Sequence, residues 1–380
     1  MATVYSLPDS SPKPLNSYLS AISSNFIILS VFSYFIGILY AVKVSLNNGD
    51  FSYFSYKITQ FHINYMDFGF ARRGAIGTVL HPLIDGFSGN IDYEYLFIIS
   101  FDFALFIAVV WVAHRVLSAM ESDRPSFSFW TRLALLIAPA GFMQFSYDVA
   151  RYDHANYLIL FLALWLAAWG RPYWAGVAMA AGVLVHEAMF FYGLPVLVVL
   201  ALLRAAPRRE IALSLVPAVA AMALIALFGN IDADLAVVLG PDRAGGAEAW
   251  QRVVLEPASH LGFSDYALLA FYVGVPCYFL LRFARANGFS LPVFAGQLLF
   301  VCALFLLGVD YFRWAHLLFV SAVTTTAAIL IANRKAALPA TGGFERLVLA
   351  LYVLPLGPIG VREPLPYVER IWNEVVMRLL

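Results

Sequence analysis

The chain is predicted to be all-α and to cross a membrane repeatedly, in about ten or eleven helices with no sizeable soluble domain between them. Three observations predict this. Of the 380 residues, 62% are hydrophobic and only 13% are charged, against roughly a quarter charged in an ordinary soluble domain. Mean hydropathy is +0.78. The apolar residues also fall in long runs, close to the ~20 residues that span ~30 Å of hydrocarbon. Formal net charge is zero, so nothing points to nucleic acid as a partner. The two cysteines, Cys277 and Cys302, lie inside apolar runs, where a thiol behaves as a small hydrophobe and no disulfide framework or thiolate metal site can be built.

The N-terminal stretch is polar and Ser/Pro-rich and lacks the basic start and short apolar core of a cleavable signal, so the first span is expected to be retained. Apolar runs then predict helices at 25–46, 95–114, 130–147, 155–169, 173–186, 188–203, 210–228, 265–283, 290–309, 315–333 and 345–360. The run 173–203 would be roughly 46 Å long as one helix, too much for a single crossing. It is therefore divided at His186-Glu187; a single helix kinked near Pro195 is the competing arrangement. Residues 1–380 form one transmembrane domain, with a long loop at 47–94 that carries an interfacial helix, a second loop at 229–264 and an amphipathic tail at 361–380.

With the N-terminus in the cytoplasm, Arg115, Arg124, Arg132, Arg171, Arg204, Arg208, Arg209, Arg282, Arg285, Arg334 and Lys335 all fall on the inner side, as the positive-inside rule asks of short loops. The remaining arginines stand in segments also rich in acids, histidines and aromatics, and this topology sends all of those segments to the outer surface. Ionisable groups at membrane depth are expensive unless paired or hydrated, and by default they mark a site.

MDFGFARRG (66–74) places Asp67 five and six residues before Arg72 and Arg73, which suits an ion pair or a compact anion site. An arginine fork matches phosphate oxygens, and the amides opening the short helix that follows favour an anion. Headgroup-anchoring arginines beside a surface helix are the alternative. SYDVARYDHANY (146–157) gathers Asp148, Arg151, Asp153 and His154 among tyrosines, either as a site or as a salt-bridged turn capping two helices. In VHEAMF (185–190), Glu187 has no opposite charge near it in sequence. Its partner must come from elsewhere, and such a carboxylate suits a general base or a proton carrier; a helix-holding ion pair is the alternative. Phe190 stands where a zinc HExxH helix needs its second histidine. GVDYFRWAH (308–316) spaces Asp310, Arg313 and His316 by three residues, on one helical face, with Trp314 and Tyr311 suited to an interfacial belt.

FARRG, DVARYDH, VHEAMFFYGLP and VDYFRW together make the chain resemble, over about residues 60–316, bacterial polytopic proteins of exopolysaccharide, capsule or O-antigen assembly. These are similar to polysaccharide polymerases and to the GT-C class of lipid-linked-sugar glycosyltransferases. The resemblance implies a GT-C-like or polymerase-like helix bundle in the bacterial cytoplasmic membrane, taking a polyprenyl-phosphate- or polyprenyl-diphosphate-linked sugar as donor. It implies membrane lipids and a lipid-linked saccharide as partners, and it leaves divalent-metal dependence open. By the same resemblance Asp67, in the first outer loop, is the candidate base, although the paired-acid arrangement common in GT-C enzymes is not clear here.

The candidate catalytic carboxylates are thus Asp67, by that resemblance, together with Asp153 and Glu187. Arg72, Arg73, Asp148, Arg151, His154, His186, Asp310, Arg313 and His316 are the candidate phosphate- and sugar-binding groups. The expected activity is glycosyl transfer or polymerisation at the outer face, in cell-surface glycan assembly. A transporter or flippase for a lipid-linked glycan or anionic solute is the first alternative, although it would place its charges near the midplane on repeated, broken helices. A membrane acyltransferase built on His154, His186 or His316 is the second.

Overall fold

The computed structural model describes residues 30–31, 34–35, 38–39, 59–86, 91–122, 138–141, 144, 149–231, 235–239, 261–307, 310–333 and 335–353. Among them there is no strand. The helices are α1 (Tyr65–Phe68), α2 (Gly74–Asp85), α3 (Ile91–Ser122), α4 (Asp153–Ala168), α5 (Pro172–Val185), α6 (Ala188–Tyr192), α7 (Leu194–Leu203), α8 (Arg208–Phe228), α9 (Leu235–Leu239), α10 (Phe263–Ala286), α11 (Leu291–Cys302), α12 (Tyr311–Ala332) and α13 (Gly343–Val353).

Four of these contain stretches long and apolar enough to cross a bilayer: Tyr93–Val116, Arg208–Phe228, Phe263–Ala286 and Tyr311–Ala332. Shorter apolar helices occupy Asp153–Ala168, Pro172–Val185, Ala188–Leu203 and Leu291–Leu306. The chain is thus an all-α membrane protein. The expected helices at 25–46 and 130–147, most of the 229–264 loop and the 361–380 tail lie largely or wholly outside the described residues.

The division of the 172–203 run has a clear physical form. α5 ends at Val185, His186 is extended (φ −155, ψ 119), and the chain restarts as α6 at Ala188. Asn156 Nδ2 donates to the His186 carbonyl (3.3 Å), satisfying a backbone group that the break frees. The chain reverses across this break. Arg204, just past α7, donates from Nη1 to the Ala167 carbonyl near the end of α4 (2.9 Å), next to where α5 began. The continuous kinked helix is therefore not what forms.

Two glycines set the closest approaches. A Cβ on Gly176 of α5 would lie 2.7 Å from the Leu213 carbonyl oxygen and 2.8 Å from that of Ser214 on α8. Small residues on both helices (Ala175, Ser214, Ala218, Ala221) are buried with it, the packing expected where lipid supplies no hydrophobic drive between helices. A Cβ on Gly77 of α2 would fall 1.9 Å from the Ile63 carbonyl oxygen. That contact lays α2 against the 61–63 backbone, while α2 also packs on α5. The start of α2, with its two arginines, is thereby carried to the end of α5.

The two ends of the bundle differ in character. The α4–α5 turn exposes Trp165, Trp169, Tyr173 and Trp174. Arg171, Arg204, Arg208 and Arg209 are exposed at the same end. Asn287, after α10, exchanges hydrogen bonds with Ala337, after α12, through Nδ2 to the carbonyl (2.9 Å) and Oδ1 from the amide (2.8 Å). At the other end stand the start of α4, the end of α5, all of α6 and the start of α12. The Arg72 amide also donates there to the Gly229 carbonyl, just beyond α8 (2.8 Å).

Candidate functional site: a buried network of arginines and carboxylates

Four segments that are far apart in sequence meet at this second end. Arg73 donates twice from Nε to Glu187 (3.2 Å to Oε1, 2.9 Å to Oε2) and once from Nη2 to Oε1 (2.6 Å). Arg72 Nε stands 3.8 Å from the same carboxylate. Glu187 Oε2 lies 3.8 Å from His186 Nδ1. His186 Nε2 lies 3.2 Å from Arg313 Nη2, and that same guanidinium nitrogen donates to Asp153 Oδ2 at 2.5 Å. Arg313 Nη1 also reaches Asp310 Oδ2 at 3.5 Å. The chain of contacts runs unbroken from α2 through the α5–α6 break to α12 and α4.

Local backbone places each member. Arg73 caps α2 in the left-handed region, φ 66 and ψ 14. An arginine there is strained by about 1–2 kcal/mol, and such strain concentrates where the surroundings fix a side chain for a purpose. Pairing with Glu187 holds it there. Asp153 and Arg313 occupy the opening turns of α4 and α12. They are 1% and 4% exposed. His186 sits between donors, with the Ala188 amide 3.1 Å from Nδ1 and Arg313 at Nε2; a neutral imidazole can accept from one of the two.

Burial lowers the pKa of Arg72 from its ordinary value; the Glu187 carboxylate opposes this and the Arg73 charge adds to it. The nearby Tyr65 phenol is pushed up by burial. Two buried oxygens, Tyr65 Oη and Asp153 Oδ1, have no hydrogen-bond partner among the described residues. A buried polar atom left in this way is exceptional and calls for an explanation.

Arg151 is 8% exposed and its charge acts on Asp153. Asp153 is linked to Arg313 on another helix. Asp148 lies outside the described residues. Asp67 is not in the network: it is exposed and accepts from Asn64 Nδ2 (2.7 Å), while Asn64 Oδ1 caps the Met66 and Asp67 amides (2.9 Å each). The expected pairing of Asp67 with Arg72 and Arg73 does not form, because α2 turns the arginines toward α5. His316 belongs to a separate clamp, its Nδ1 donating to the Ala140 carbonyl (2.7 Å) and its Nε2 hydrogen-bonded to the Tyr157 hydroxyl (2.8 Å).

A second buried node escaped the sequence reading. Asp102, on α3, is fully buried. It accepts from the Tyr34 hydroxyl (2.6 Å) and the Ala150 amide (2.8 Å) and pairs with His154 Nδ1 (2.8 Å). Ala150 has φ 54, and its carbonyl accepts from Gln60 Nε2 (2.6 Å); the Tyr152 hydroxyl donates to the Gln60 carbonyl. These bonds fix the turn that delivers Arg151, Asp153 and His154. The signal that could have found Asp102 was an acid inside the expected 95–114 span. Among the described residues no cluster of histidine, cysteine and carboxylate has the makings of a metal site.

The fold and the site together define a membrane protein with a buried, mixed-charge network at one end of its helices. No protein-family model, curated protein or solved structure matches the chain.

Proposed function

We propose that the network is the phosphate- and sugar-recognition site of an integral-membrane glycosyltransferase or polysaccharide polymerase that uses a polyprenyl-phosphate- or polyprenyl-diphosphate-linked sugar at the outer face of a bacterial cytoplasmic membrane. The observation that carries this reading is the convergence of two adjacent guanidinium groups on one carboxylate. Arg73 pairs with Glu187 at 2.6 Å and Arg72 stands 3.8 Å from it, in the network that also holds the Arg313–Asp153 pair. Two guanidinium groups side by side make a place for an anion with several oxygens. A phosphate oxygen is the anion that the arginine fork fits.

Depth supports a lipid donor. At 1.5 Å per residue, Asp153 stands about 18–24 Å along α4 from Trp165 and Trp169. With those aromatics at one boundary, a ~30 Å hydrocarbon core leaves the ion pairs below the opposite boundary. A phosphate carried on a lipid reaches that level; a freely dissolved sugar nucleotide has to leave water first. The basic residues at the aromatic end suit a cytoplasmic orientation for it, which puts the network outward.

Asp153 Oδ1 and Tyr65 Oη are then available to sugar hydroxyls, and the arginines stabilise charge developing on the departing lipid phosphate. Among the described residues Glu187, Asp153 and Asp310 are the carboxylates in reach of these arginines; Asp67, exposed and tied to Asn64, stands apart. The ten or eleven spans and the polymerase-like bundle belong to this same reading. A flippase would want its charges at the midplane, whereas here they collect at one end.

The test is single substitution of Arg73→Gln, Asp153→Asn, Glu187→Gln and Arg313→Gln, with surface glycan assayed and expression confirmed. Loss of glycan beyond any fall in protein level is expected in each. Full glycan from all four would remove the enzyme reading. Glycan lost because lipid-linked donor stays trapped on the inner leaflet would favour the flippase instead.

A further inference from the structure

Glu187 occupies the very fork that a phosphate would use. Its carboxylate takes three hydrogen bonds from Arg73, at 2.6–3.2 Å, and stands 3.8 Å from Arg72. The residue is placed to let go. It sits between α5 and α6, where the helix is broken and His186 is extended. Its side chain is 18% exposed, against 1% for Asp153 and 5% for Arg313 in the neighbouring pair. Arg73 is held in a left-handed conformation opposite it. Both members of the pair are 18% exposed, so an entering anion meets this pair before the more deeply buried Arg313–Asp153 pair.

We infer that Glu187 is a substrate-displaced carboxylate: the donor's phosphate takes Arg72 and Arg73 from it, and the released Glu187 becomes the base of the transfer. This rests on the anion-site reading above and assigns the base within it. Before the donor binds, Arg73 masks the carboxylate and suppresses its basicity. Once phosphate oxygens fill the fork, Glu187 swings free beside the donor. The acceptor hydroxyl oxygen then bonds to the anomeric carbon, and its proton passes to the Glu187 carboxylate. The bond from the anomeric carbon to the phosphate oxygen breaks, and its electron pair stays on the lipid phosphate, held by Arg72 and Arg73. The exchange couples basicity to occupancy, so an empty site has no free base with which to activate water.

The coupling predicts opposite effects of one substitution on binding and on turnover. Glu187→Gln removes the competing charge, so the detergent-solubilised full chain binds inorganic pyrophosphate more tightly than wild type, by about tenfold, while transfer is lost. A residue that only held helices together would weaken binding on removal. Isothermal titration of wild type and Glu187→Gln with pyrophosphate, each checked by thermal melt, decides it. Tighter binding by the variant supports the exchange. Equal or weaker binding by the variant, with wild type binding normally, overturns the exchange and leaves the anion site standing. No binding by either protein overturns both. If Glu187→Gln does not accumulate folded, Glu187→Asp takes its place; it draws the carboxylate back by one methylene and opens the same clasp, with the same expected and contradicting directions.

Discussion

The same helices carry arginines at both ends, and the two ends treat them differently. At the aromatic end Arg171, Arg204, Arg208 and Arg209 are exposed, and Arg204 does no more than cap a carbonyl of α4. At the other end Arg151 and Arg313 are 8% and 4% exposed, and Arg73 and Arg313 are locked to carboxylates from other helices. An exposed guanidinium beside tryptophans anchors a helix at a membrane boundary and is worth a few tenths of a kcal/mol to about 1 kcal/mol. A buried one has given up its hydration and is tolerated only with partners. Composition alone cannot separate the two, since both ends are rich in arginine and aromatics. Acids from distant segments serve both ends, since Glu345 pairs with Arg282 at the aromatic end (3.2 Å); what separates them is the burial of the Arg313–Asp153 pair and its linkage through His186 to Arg73–Glu187.

Substitutions sharpen this contrast, beginning where the effect is largest. Arg313→Met leaves Asp153 buried and unpaired and is expected to destabilise the protein by about 3–5 kcal/mol, measured as a loss of melting temperature in detergent. Adding Asp153→Leu removes the stranded charge and is expected to recover most of that loss while activity stays absent. Recovery of activity in the double variant would reduce the pair to scaffolding.

Asp102→Asn weakens the acceptor of three donors and is expected to cost about 1–3 kcal/mol, with limited proteolysis of the folded protein rising first at 149–152. An unchanged cleavage pattern there would mean that Asp102 does not hold the turn. Gly176→Ala forces a methyl group against α8 carbonyls and is expected to cost about 1–3 kcal/mol, again by thermal melt. Arg204→Gln, at the aromatic end, is expected to change stability by less than about 1 kcal/mol and activity not at all. A large loss there would erase the distinction between the ends.

The described helices were legible because a run of apolar residues is a local signal, and the break at His186-Glu187 was legible because length is arithmetic: 31 residues cannot be one crossing of ~30 Å. α12 begins at Tyr311, earlier than the expected 315, because charged and aromatic residues at an interface lower the local hydropathy without ending a helix. The four clusters were visible as segments, but their pairing was not. Asp67 lies near Arg72 and Arg73 in sequence and still does not pair with them, since α2 packs on α5 through Gly77 and presents the arginines to Glu187, 114 positions on. Asp102 was hidden for the opposite reason: a single acid barely dents a strongly apolar run, and the partners that make it meaningful, Tyr34, Ala150 and His154, come from elsewhere in the chain.

The central claim is that the arginines gathered into the network at one end bind a lipid phosphate and the exposed ones at the other do not. It is tested most directly by saturable binding of a radiolabelled short-chain polyprenyl diphosphate to the protein in nanodiscs. The account predicts that Arg72→Gln/Arg73→Gln weakens binding by about tenfold or more, with Arg171→Gln/Arg204→Gln indistinguishable from wild type. Equal losses from the two pairs, or no saturable binding to wild type, would contradict it.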